Sequence, residues 1–107
     1  MGPIEQIVTD KLAGQFKAEV LQVTNESYMH SVPAGSETHF KVVLVTDQFA
    51  GKRQVQRHQA IYAVLAEELA GPIHALALHT FSSKEWAQSQ GQAPDSPQCL
   101  GAKKIDL

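Results

Sequence analysis

The 107-residue chain holds a single cysteine, Cys99, so it cannot build an internal disulfide framework. It has no C-x-x-C and no H-x-E-x-x-H spacing, which excludes a self-contained zinc site of the common kinds. No apolar run approaches the roughly 20 residues a membrane-spanning helix needs. The opening MGPIEQ lacks a basic stretch followed by an apolar one, so no secretory leader is expected and the expected location is the cytoplasm. Charge of one sign is also missing. The formal net charge of −2 excludes a generic polyanion binder, and any contact with nucleic acid has to come from a local basic patch. No Ser-His-Asp set, paired-carboxylate site or phosphate-cradling glycine loop is present, so the chain is not expected to be an enzyme. What is there is enough for a core: 43% hydrophobic residues in a length that suits one domain.

The central stretch is FAGKRQVQRHQAIY, Phe49 to Tyr62. Gly51 provides a turn, since it tolerates a positive φ. Lys52, Arg53 and Arg57 make the start basic, and Val55, Ile61, Tyr62, Val64, Leu65 and Leu69 recur at helical spacing. The spacing predicts one main helix to about Ala70, stopped by Gly71-Pro72, with Arg53, Gln54, Arg57, His58 and Glu68 on its outer faces. Before it, Met1–Phe16 reads as a helix with Pro3 in its first turn, and Ala18–Asn25 as a strand. Glu26–Glu37 is a long loop, and His39–Thr46 is a strand with apolar residues on both faces, hence central. After it, Ile73–Thr80 is a third strand, and Ser82-Ser83-Lys84-Glu85 is a capping box for a short last helix to about Gln90. The domain is expected over 1–90, with 91–107 a loose tail. The order α-β-β-α-β-α predicts an α/β (α+β) fold: a three-stranded mixed sheet, strands one and two antiparallel, strands two and three parallel through the main helix, and helices on one face.

Five histidines are the most chemical feature. Any one of them has an ordinary reading as a hydrogen-bonded or surface residue. His30 in the long loop and His74 at the start of strand three are the pair that topology can bring together. Two imidazoles make half a tetrahedral site, which invites a metal shared with a partner that supplies thiolates. His39 and His79 flank strands and read as ordinary. Lys52, Arg53 and Arg57, with His58 beside them, read either as a phosphate-contacting patch at a helix N-terminus or as a solvated helix face. Glu67-Glu68 reads as solvated. Cys99, in SPQCLG without a paired base, is not read as a nucleophile.

ESYMHSVPAGSETHFKVVLV (Glu26–Val45), Phe49-x-Gly51 leading to Arg57-His58, AEELAGPIHALALHTFSSKEW (Ala66–Trp86) and SPQCLG carry a resemblance over nearly the whole chain. The chain resembles BolA proteins, and is most similar to the bacterial type. The resemblance implies a fold like a class II KH domain and a role in transcriptional regulation, DNA binding at promoter regions, stress response and cell morphology. It also implies a partner, a monothiol glutaredoxin, with a [2Fe-2S] cluster held in the complex by the glutaredoxin cysteine, glutathione and BolA histidine, and no cofactor on the chain alone. The implied metal ligands are His74 and His30, and the implied DNA-facing residues Lys52, Arg53, Arg57 and His58. No membrane partner is implied, and the chain is expected as a monomer or weak dimer. KH domains that grip RNA use a G-x-x-G loop; Phe49-Ala50-Gly51-Lys52 has one glycine, which directs nucleic-acid contact to the basic helix end. The order of strand three after the main helix suggests that glutaredoxin and DNA compete.

Overall fold

In a computed structural model, residues 2–29, 33 and 35–93 are described. The chain forms helix α1 (Pro3–Gln15), strand β1 (Val20–Asn25), strand β2 (His39–Val45), helices α2 (Gln54–Val64) and α3 (Ala66–Ala70), strand β3 (Ala75–Phe81) and helix α4 (Ser83–Gln88). Single turns of 3-10 helix at Ser27–Met29 and Asp47–Phe49 join them. The sheet order is β1-β2-β3, so β2 is central as its two apolar faces require. β1 runs antiparallel to β2 with Val20 opposite Val45. β3 runs parallel to β2 with His39 opposite Ala75 and Val45 opposite Phe81. The fold is α+β with a mixed sheet, as the element order predicts.

Alternation along β2 sends Phe40, Val42 and Leu44 to one face, where they form the core with Val8 and Leu12 of α1, Phe49, Ile61, Leu65 and Ile73. Helix α1 starts cleanly because Pro3 has no N–H to lose and because a distant carboxylate supplies the cap. Glu37 Oε2 accepts from the N–H groups of Ile4 (3.1 Å) and Glu5 (3.0 Å). Val43 and Val45, on the opposite face, are also buried. Phe81, beside Val45 in register, stacks edge-on against Trp86 of α4 at 4.9 Å between centroids, so α4 shields this end of the second face. The rest of that face is more open, with Gln22 and Thr24 exposed and Lys41 and His79 partly so.

The main helix differs from its expected course in two ways. It breaks at Leu65, whose φ of −103° and ψ of 21° separate α2 from α3. Its faces are also rotated. Val55 and Tyr62, expected inside, are 52% and 42% exposed, while Arg57 and Glu68, expected outside, are buried. The reason is pairing. Lys11 of α1 reaches Glu68 at 2.8 Å and Glu67 at 3.0 Å, tying α1 to α3, so Glu68 is not a solvated carboxylate. The capping box at α4 forms as expected: Ser82 Oγ accepts from Glu85 N–H, and Glu85 Oε1 accepts from Ser82 N–H at 2.8 Å.

Candidate nucleic-acid and metal-binding ends

The strands β2 and β3 are parallel, so their ends gather different residues. At their C-terminal ends lies the turn into α2. Gly51 takes a φ of +77°, in the region that favours glycine, and Lys52 N–H closes the turn on Phe49 C=O at 3.0 Å. Lys52 and Arg53 follow, both exposed, at the helix N-terminus, whose first N–H groups are unpaired within the helix and whose dipole favours anions. Gln56 Oε1 accepts from Arg53 N–H at 3.0 Å and orders the first turn.

Arg57 is not part of that exposed patch. It is 2% exposed, and its guanidinium is committed on every side. Nη1 and Nη2 grip Glu85 of α4 at 2.6 and 3.2 Å, Nη1 also donates to Thr80 C=O at 3.2 Å, and Nε donates to Lys52 C=O at 2.9 Å. The guanidinium carbon lies 5.6 Å from the centroid of the Phe49 ring. The expectation that Arg57 contacts phosphate is therefore corrected: the planar fork that suits phosphate is used to join the turn, β3 and α4. The Arg57 guanidinium, and then the Ser82 backbone N–H, hold the Glu85 carboxyl down at about 2. What the sequence suggested as the third cation of a phosphate patch is the residue that positions Lys52. His58, next along α2, is half-buried, and burial first and the Arg57 charge second push its imidazole below the ordinary histidine value.

At the N-terminal ends of the same strands stands His74. It is exposed, just before β3, and its N–H is fixed by Thr38 C=O at 2.8 Å. Its ring meets His39 edge-on, 6.2 Å between centroids and 72° between planes. The His39 Nδ1 is 2.7 Å from Thr38 Oγ1. His39 thus belongs to this end, a neighbour of His74 that alternation alone did not single out. The long loop is fastened here at both its ends. Asn25 Nδ2 donates to Ser36 C=O, and buried Ser27 Oγ accepts from the N–H groups of Thr38 (3.0 Å) and His39 (3.1 Å). His30 lies outside the described residues, as does Cys99. Among the described residues no group of three or more His, Cys, Asp or Glu is placed to hold a metal. The described donors at this end therefore do not make a closed metal site by themselves.

The two ends are separated by the length of β3, about 20 Å for seven residues. His74 does not lie beside the basic turn, so the reason offered for competition, the closeness of strand three to the main helix, is not what the fold provides.

A profile of the family described as "BolA-like protein" matches residues 12–85. The chain is 50% identical over 101 residues to the "DNA-binding transcriptional regulator BolA" of Vibrio cholerae, covering 94% of this chain and 95% of that protein. It is 52% identical over 102 residues to the protein of the same name from Escherichia coli, covering 95% and 97%. Among solved structures, BolA1 of Mus musculus superposes with a TM-score of 0.81 at 46% identity, over 94% of this chain and 81% of that one. BolA1 from Arabidopsis thaliana gives 0.73 at 30% identity, over 79% and 98%. No helix among the described residues is long and apolar enough to cross a membrane. By profile, by sequence identity and by fold, this chain belongs to the BolA-like family.

Proposed function

We propose that the chain is a BolA-type DNA-binding transcriptional regulator of the cytoplasm, without enzymatic activity, and that its DNA contact is the exposed start of α2. The observation that carries this reading is the pair Lys52 and Arg53, exposed at a helix N-terminus whose preceding turn is pinned by Arg57 Nε on Lys52 C=O. Cations held by a rigid turn lose little freedom on meeting phosphate, and the helix N–H groups add to the same field. The names of the bacterial relatives point the same way. His58, half-buried beside them, stands at the rim of the contact. Two cations make binding modest and dependent on salt. Fluorescence anisotropy of a mixed-sequence duplex, titrated at several salt concentrations, tests the reading. Lys52→Ala with Arg53→Ala should weaken binding and lower the salt slope by about 1 per cation. An unchanged slope, or no binding by the parent chain at low salt, overturns it.

A second reading rests on His74. Its imidazole is exposed at the far end of the sheet, on a backbone anchored by Thr38. In that reading the chain is an adaptor, a monomer or weak dimer when alone, that pairs with a monothiol glutaredoxin and glutathione. His74, with His30 as the second candidate, would hold a [2Fe-2S] cluster whose remaining ligands come from the partners. The cluster, when bound, supplies a transferable iron–sulfur unit; this chain contributes a positioned imidazole. Visible circular dichroism of the reconstituted complex, with this chain and with His74→Ala, tests it. The expected result is a spectrum that changes on adding the parent chain and not on adding the variant.

A further inference from the structure

With Arg57 turned inwards, the opposite side of α2 is left to solvent, and that side is not an ordinary polar face. Val55, Gln59 and Tyr62 lie within about 60° of one another around the helix axis. Val55 is 52% and Tyr62 42% exposed, and Gln59 between them is exposed as well. Two large apolar side chains held in water on one stripe of a helix mark a contact surface. The amide of Gln59 makes no hydrogen bond among the described residues. The two other glutamines of α2 are engaged, Gln54 with Thr80 C=O at 3.2 Å and Gln56 with Arg53 N–H at 3.0 Å. Charge selects the class of partner. From Gly51 to Ala66 the chain carries no Asp or Glu, and the stretch opens on Lys52 and Arg53, so a polyanion meets this face without repulsion.

We propose that the stripe of Val55, Gln59 and Tyr62 reads base edges in the major groove of DNA. The inference rests on the DNA-binding reading above and adds to its phosphate contact a source of sequence preference. A helix with its side chains is about 10–12 Å across and the major groove about 12 Å wide, so α2 fits it. Val55 to Tyr62 covers about 10 Å along the axis, the rise of about three base pairs. The carboxamide of Gln59 accepts from N6 of adenine and donates to N7, a bidentate pair that no other base offers in the same pattern. Val55 presents methyl groups to the methyl of thymine. Tyr62 has a hydroxyl that can donate to a phosphate at the far side of the groove, while Lys52 and Arg53 take phosphates near the helix start. The preferred site therefore contains A·T pairs. Glu67, 88% exposed and held by Lys11, lies past Tyr62 and ends the stretch that favours an anion.

The test is selection of duplexes by the whole chain from a randomised pool, followed by fluorescence anisotropy on the selected duplex. The parent chain should enrich a short site containing A·T pairs and prefer it to a scrambled duplex by about 10-fold. Gln59→Ala should remove the preference at one A·T pair and keep the salt slope, which Lys52 and Arg53 set. Replacing each thymine in turn by uracil deletes only a methyl group. At one position this should weaken the parent by about 4-fold and leave Val55→Ala unaffected. Both side chains are exposed, so neither substitution is expected to disturb the fold, and the uracil arm alters no residue. Salt-dependent binding with no enriched site overturns the stripe as a reader and leaves the phosphate contact standing. So does a preference that survives Gln59→Ala, the outcome expected of a stripe that docks a protein instead. A parent chain that binds no duplex at low salt overturns both.

Discussion

The two ends of the β2–β3 pair are built on opposite principles. At the C-terminal end a cation is taken out of water and its hydrogen bonds are spent inside the protein, so that two neighbouring cations stay outside in a fixed place. At the N-terminal end an imidazole is left exposed, its backbone fixed by Thr38 and its ring edge-on to His39. The first arrangement concerns stability as much as recognition, because Arg57 joins three elements. The second, in the proposed adaptor reading, serves recognition, since His74 is exposed and joins no elements through its side chain as Arg57 does. The comparison teaches that a charged residue in a basic run has to be judged by what it can reach, not by its charge.

The largest expected effect breaks that contrast directly. Arg57→Ala removes the pair with Glu85 and leaves the carbonyls of Lys52 and Thr80 without this donor; a loss of about 2–4 kcal/mol is expected, kept below the fully buried limit because Glu85 stays 43% exposed to water. His74→Ala, at the other end, should change stability by no more than about 0.5 kcal/mol. Urea unfolding measures both. Equal effects would remove the distinction between the two ends.

A pH series sharpens the same point. Glu85 has a folded value of about 2 against an ordinary 4.5. A carboxylate depressed in this way contributes stability that is complete above the ordinary value and is lost as pH falls from there towards 2. Thermal melts between neutral pH and pH 2 should therefore show an acid loss that Glu85→Gln diminishes. The same melts on Gly51→Ala should show a smaller and pH-independent loss of about 1 kcal/mol, since alanine at a φ of +77° is strained in a turn with open space around it.

Much of this architecture was legible in the residues. Alternation of apolar side chains through both faces of β2 identifies the central strand, the Ser82–Glu85 spacing identifies the last helix start, and the turn at Gly51 identifies where α2 begins. The rotation of α2 was not legible, because helical periodicity counts Val55 and Tyr62 as core and has no means of knowing that Glu85, twenty-eight residues on, would draw Arg57 inside. Glu68 was misplaced for the same reason, its partner Lys11 being fifty-seven residues away. Long-range ion pairs override a local hydrophobic pattern wherever the partner's position is set by topology. The role of His39 was hidden by strand alternation, which assigns it to a face but does not say that His74 precedes β3 close enough to meet it.

The smallest effects on stability are expected from Lys52→Ala and Arg53→Ala, within about 0.5 kcal/mol each, and they carry the most information about function. Because these cations and His74 sit at opposite ends of the strands, the two readings of function separate. The double variant should lower the salt slope of duplex binding by about 2 while leaving the visible circular dichroism of the glutaredoxin complex as it is in the parent. His74→Ala should do the reverse. If His74→Ala also weakens duplex binding, then the two ends communicate through the strand between them, and the contrast between a sealed cation at one end and an exposed imidazole at the other describes one site rather than two.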